Sequence, residues 1–133
     1  MKPVSSKTNL RKQQRADVSI EVAIKKSDGD VLNCRTANLS RAGMMLLCDQ
    51  ETAKKLVPSQ TTPAPGACIP VAARFAVPVV AAQTVAVAAA GHIVHLRRIA
   101  RDQFQLGVQF TDFENNGYDY VDQFVSRVLA TPI

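Results

Sequence analysis

Tryptophan is absent, and the aromatics that remain are two tyrosines and five phenylalanines in 133 residues. A barrel that captures single-stranded nucleic acid stacks bases on surface aromatics, and this chain has few to spare once its core is built. Cysteine is also scarce. Cys34, Cys48 and Cys68 cannot all pair and show no CxxC spacing, which reads as small buried hydrophobes in a reducing compartment, hence the cytoplasm. Only two histidines are present, His92 and His95; three apart on a strand they would face opposite ways, and no further ligand cluster accompanies them, so no metal is expected. No apolar run follows the lysines of Met1 to Leu10, so neither a signal peptide nor a membrane anchor is expected. The alanine- and valine-rich stretch from Ala67 to Ala90 is broken by Pro70, Arg74, Pro78 and Gln83 before about 18 clean residues accumulate, which argues against membrane insertion. Nothing resembles a nucleophile with its base. Enzymatic activity and a resident cofactor are therefore not expected.

What is present fits one domain. At 133 residues and 47% hydrophobic content, the chain can bury most of its apolar surface in one core without staples. The net charge of +5 is unevenly placed: Met1 to Arg15 holds Lys2, Lys7, Arg11, Lys12 and Arg15 with no acid, while the other 118 residues carry 11 bases and 11 acids. A uniformly basic fold would suit a phosphate backbone. A neutral body with one charged arm suits a small, local anion better, and residues 1–10 read as a flexible basic tail.

Regularity begins at Asp17. Val18, Ile20, Val22 and Ile24 alternate with polar or small residues up to Lys25, a half-buried strand. Ser27-Asp28-Gly29-Asp30 supplies a tight turn into a return strand from Val31 to Ala37. Met44 to Cys48 is a short continuous apolar strand, consistent with burial on both sides or with a barrel bend, in which both methionines read as core. Asp49 caps a short helix from Gln50 to Leu56, and Pro58 stops it. A proline-containing loop runs from Val57 to Gly66, and two alanine-rich strands follow, Ala67 to Phe75 and Val79 to Ile99, with the turn between them unplaced. In Gln103 to Phe110, Phe104, Leu106, Val108 and Phe110 share one face, and Val121, Phe124, Val125, Val128 and Leu129 then mark an amphipathic helix from Tyr118 to Leu129. Six strands with short turns predict an all-β, six-stranded antiparallel barrel, because closure removes exposed edges.

The chemistry concentrates in Asn38-Leu39-Ser40-Arg41-Ala42-Gly43 and in the pair Arg11 and Arg15. An amide, a hydroxyl and a glycine at a strand end suit holding a ligand, or simply capping a turn. The two arginines, four apart, meet either on one helical turn or as a gripping arm, and they point to an anionic guest.

Arg11 and Arg15 as R-x-x-x-R, followed by Asn38, Ser40 and Gly43 as [DN]-x-S-x-x-G, resemble the PilZ domain, a bacterial receptor module for cyclic di-GMP. Gly91-His92-Ile93-Val94 and Leu106-Gly107-Val108-Gln109-Phe110 are similar to that family's G-x-V-V and L-G-V-x-F segments. The resemblance implies a PilZ-type barrel over 17–111, an arm over 11–16 and the closing helix over about 118–129, in a chain that stands alone. It further implies that Arg11 and Arg15 clamp phosphate or guanine bidentately. Asn38 would accept from a guanine edge, Ser40 would meet phosphate or fix the loop, and Gly43 would allow a positive φ or close ligand approach. Arg41 is a further phosphate candidate. Leu10, just before the first arginine, lacks the guanidinium that stacks on a second ligand, so one cyclic di-GMP per protomer is expected. Binding would order the arm over the barrel mouth and alter contacts with an effector protein of motility, pilus function or exopolysaccharide export, in the regulation of biofilm formation. The alternatives are a nucleotide-independent adaptor acting by protein contacts and a single-stranded nucleic-acid-binding barrel.

Overall fold

A computed structural model describes residues 14–80 and 83–130. Among the described residues, seven strands and two helices follow in chain order: β1 (Arg15–Ala16), β2 (Glu21–Lys26), β3 (Val31–Ser40), β4 (Gly43–Cys48), α1 (Gln50–Leu56), β5 (Ile69–Val80), β6 (Gln83–Ala100), β7 (Gln103–Phe113) and α2 (Gly117–Ala130). Every pairing is antiparallel. Strands β3-β2-β5-β6-β7-β4 follow one another, and pairing of β4 back to β3 closes them into the expected six-stranded ring. The seventh strand, β1, lies on the free end of β3, with Arg15 opposite Ser40 and Ala16 opposite Leu39.

The alternation expected from Val18 holds in burial, but the strand ladder begins only at Glu21, and the cause is Thr36. Its buried hydroxyl donates to the Val18 carbonyl at 2.5 Å and accepts from Ile20 N–H at 2.9 Å, while Thr36 N–H donates to the Ile20 carbonyl at 2.9 Å. A side chain thus replaces the ladder along 17–20. One edge of β3 is served first by β2, then by Thr36, then by β1. The return strand is also longer than expected, reaching Ser40 rather than Ala37. Since Arg15 and Ala16 are paired and Ala16 is buried, the last two residues of the expected arm 11–16 belong to the sheet.

The alanine-rich region resolves into one long hairpin. Val71, Ala73, Phe75 and Val77 are buried while Ala72, Arg74, Ala76 and Pro78 are exposed, so β5 keeps period two through Pro78 and also takes in Val79, which had been expected in the next strand. In β4, Met44 and Leu46 point into the core, whereas Met45 and Leu47 are half-buried. This alternation replaces the expected continuous burial. The inner faces of the ring meet Val121, Phe124 and Val125 of α2 and Ala53 and Leu56 of α1 in one core.

Two stability tests follow. Thr36→Val keeps the volume but strips the hydroxyl, leaving Ile20 N–H and the Val18 carbonyl without their partner, and urea unfolding should show a loss of about 1–3 kcal/mol. Asp49 caps α1 by accepting from Thr52 N–H at 2.8 Å, and that bond holds its carboxyl below the usual range. A depressed carboxyl stabilises above its unfolded pKa and ceases to as pH falls through the folded one. Asp49→Ala should therefore cost about 0.5–2 kcal/mol near neutrality, with the difference from the parent shrinking as acid protonates the lowered carboxyl.

Candidate functional site

The turn from β3 to β4 is built by Ser40. Its side-chain oxygen accepts from Ala42 N–H at 3.2 Å and Gly43 N–H at 3.1 Å and donates to the Gly43 carbonyl at 3.1 Å. The residue is 3% exposed, so of the two roles open to it, the structure shows the one that fixes the loop. Gly43 does not take a positive φ; the positive-φ glycines among the described residues are Gly29 and Gly66. Glycine is needed because β7 comes so close: a Cβ at position 43 would stand 2.2 Å from the Val108 carbonyl oxygen.

Arg15 reaches across from β1. Its Nη1 donates to Asn38 Oδ1 at 3.2 Å, joining two motif residues 23 positions apart. The amide oxygen expected to accept from a guanine is thus already accepting from the arginine.

Asn38 also begins a row across four strands, since it faces Met45 on β4, Met45 faces Gly107 on β7, and Gly107 faces His95 on β6. Cross-strand partners share a face, and this one is the outside of the barrel. Gly107 leaves the row without a side chain in its middle, and a Cβ there would lie 3.0 Å from that of His95. The result is a cleft of about 570 Å³ lined by Arg15, Ser40, Gly43, Met45, His95, Gly107 and Gln109 among others.

Four of those lining residues were not read as site residues from sequence. By residue type Met45 reads as core, His95 as a candidate metal ligand, and Gly107 and Gln109 as strand. The alternation of β7 did carry a signal, because it set Gly107 and Gln109 opposite the buried Leu106 and Val108. For the histidines a correction is needed: a bulge between Ile93 and His95 lets His92 face Gln109 and His95 face Gly107, which puts both on the outer side. No cluster of three metal-ligating side chains occurs among the described residues.

Arg41 departs from its expected phosphate role. It is 5% exposed; Nε pairs with the Asp122 carboxylate and Nη2 donates to Ser126 Oγ at 2.5 Å, so the guanidinium is held against α2. Arg11 and Leu10 lie outside the described residues.

A closed antiparallel barrel thus brings an arginine and an amide together beside an outward cleft. The PilZ domain model matches residues 9–127, and the chain belongs to that family. Its fold is similar to that of the Bacillus subtilis inhibitor of motility MotI (10% identity, TM-score 0.66, covering 85% of this chain and 48% of that one). It is also similar to Borreliella burgdorferi PlzA, solved in complex with c-di-GMP (6% identity, TM-score 0.63, covering 98% and 58%). A third neighbour is the PilZ domain of CeSA from a cellulose-synthesizing bacterium (15% identity, TM-score 0.51, covering 87% and 98%). The chain thus spans about half the length of MotI and PlzA. No curated protein matches the sequence. Among the described residues, no helix is long and apolar enough to cross a membrane.

Gly43→Ala tests the close approach on which the cleft wall rests. The added methyl meets backbone rather than a flexible side chain, so β4 must part from β7, and chemical unfolding should report a loss above about 2 kcal/mol.

Proposed function

We propose that this chain binds cyclic di-GMP on the outer face of the barrel, with Arg15 and Asn38 at the mouth of the cleft and Arg11 brought over it by the preceding residues. The observation that carries this reading is the Arg15–Asn38 hydrogen bond, which joins the two motifs beside a ligand-sized cleft. Ligand pockets run to roughly 300–1,000 Å³, and the cleft falls within that span. Guanine offers two acceptors on its Hoogsteen edge that match a guanidinium fork, and each phosphate offers the same geometry with a charge. His95 and Met45 supply flanking surface for a flat base, and Gly107 leaves the space between them open.

The pairing of Arg15 with Ser40 limits what ligand must order. Only residues ahead of Arg15 need to close, each at roughly 1–2 kcal/mol of lost backbone freedom. Charge-assisted hydrogen bonds return about 1.5–3 kcal/mol apiece, so a micromolar complex, about 8 kcal/mol net, is attainable. The ordered arm then presents a changed surface to an effector protein of motility, pilus function or polysaccharide export. A second reading, an adaptor that acts without nucleotide, draws support from Arg41, since its pairing with α2 commits one basic residue of the motif to structure.

Calorimetry separates the two. Cyclic di-GMP should bind with one equivalent per protomer, and Arg15→Ala should weaken the affinity at least tenfold; saturation at two equivalents removes the stoichiometry, and an unchanged affinity removes Arg15 from the site. Absence of any binding heat, with no ligand-dependent rise in melting temperature, would leave the adaptor.

A further inference from the structure

Cys34 and Cys48 sit at the open end of the hairpin whose turn holds Ser40 and Gly43. The β3–β4 register sets Arg35 opposite Leu47, and continued by one residue it sets Cys34 opposite Cys48. Both belong to the inner face: Cys34 is buried in the core, and Cys48 packs against it while remaining partly exposed. Directly opposed residues of an antiparallel pair have Cα atoms about 4.5–5.5 Å apart, inside the span of about 4.4–6.8 Å that a disulfide bridges. Cys68 lies outside this hairpin, just ahead of β5.

We propose that Cys34 and Cys48 form a reversible intrachain disulfide, which makes the open end of the β3–β4 hairpin an oxidative modification site. The two thiols already interact. Hydrogen bonding from Cys34 lowers the Cys48 thiol below its usual range, against the opposing effects of burial and of the Asp49 charge. The same bond, followed by burial, pushes Cys34 up. Cys48 is therefore the attacking sulfur, being both the more acidic and the more accessible, and Cys34 is the resolving one.

The oxidant is a hydroperoxide. The Cys48 thiolate attacks the terminal peroxide oxygen, the O–O bond breaks, and the departing oxide takes a proton to leave Cys48 as a sulfenic acid. Cys34 sulfur then attacks Cys48 sulfur; the S–O bond breaks, and the hydroxyl leaves as water with the Cys34 proton. With hydrogen peroxide, two thiols and one peroxide give one disulfide and two waters. A dithiol reductant restores both thiols. The inference rests on the strand register and holds whether or not the chain binds a nucleotide.

The test treats the folded full chain with hydrogen peroxide, counts thiols after denaturation and maps linked peptides by non-reducing mass spectrometry. Two of the three thiols should disappear, a Cys34–Cys48 peptide should appear with a mass lower by two hydrogens, and dithiothreitol should reverse both. Cys68→Ser should behave like the parent, with no thiol left after oxidation. Cys48→Ser, a change at a partly exposed position, should abolish the fast loss and leave the Cys34 thiol intact. Sulfinic or sulfonic acid on Cys48 beside a free Cys34, a Cys68-linked dimer as sole product, or survival of all three thiols would each overturn the proposal.

Discussion

The sheet closes because β3 is paired along both edges at once. Its first half bonds β2 and its second half bonds β4, while Thr36 and β1 take over the edge that β2 vacates. An unpaired edge costs buried backbone groups their partners and invites association with other chains. Any break in the pairing of β3 therefore opens the ring and displaces the motif at its end. The contact of Gly43 with Val108 belongs to the same constraint, because the turn can return toward β7 only where no side chain intervenes.

This dependence explains what was legible in the sequence. Local alternation located β7, since Phe104, Leu106 and Val108 are both periodic and large. It located β2 less well, because the interruption along 17–20 comes from a threonine that is distant in sequence and whose role appears only when β3 lies beside it. The β5–β6 boundary was obscured for a different reason: alanine fits an inner or an outer position equally, so Ala72 and Ala73 give no sign of their faces. The site divides the same way. Asn38, Ser40 and Gly43 lie close in the chain and are readable by residue type, whereas Met45, Gly107 and His95 become neighbours of Asn38 only through the register of four strands, which shifts both just before Asn38 and between Ile93 and His95.

Arg15 and Arg41 show how one residue type serves two ends. Arg15 is exposed, and its amide partner is neutral, so an incoming phosphate can compete for the guanidinium at little cost. Arg41 is buried against a carboxylate. Removing such a cation from its partner leaves a charge uncompensated where water is scarce, a larger penalty than one new phosphate contact returns. The first arginine stays exposed beside the cleft, and the second fastens the motif turn to α2.

That fastening has a mechanical consequence. The β3–β4 hairpin meets Arg15 through Asn38 on its outer face and α2 through Arg41 beyond its turn, and its own two strands bring Cys34 and Cys48 opposite each other at its base. Packed elements shift between discrete arrangements rather than deforming continuously. Asn38, the turn and the helix are therefore joined through one strand and one ion pair. Since α2 also packs against β1, the strand that holds Arg15, the path is a closed circuit: β1 to β3, β3 to the turn, the turn to α2, and α2 back to β1.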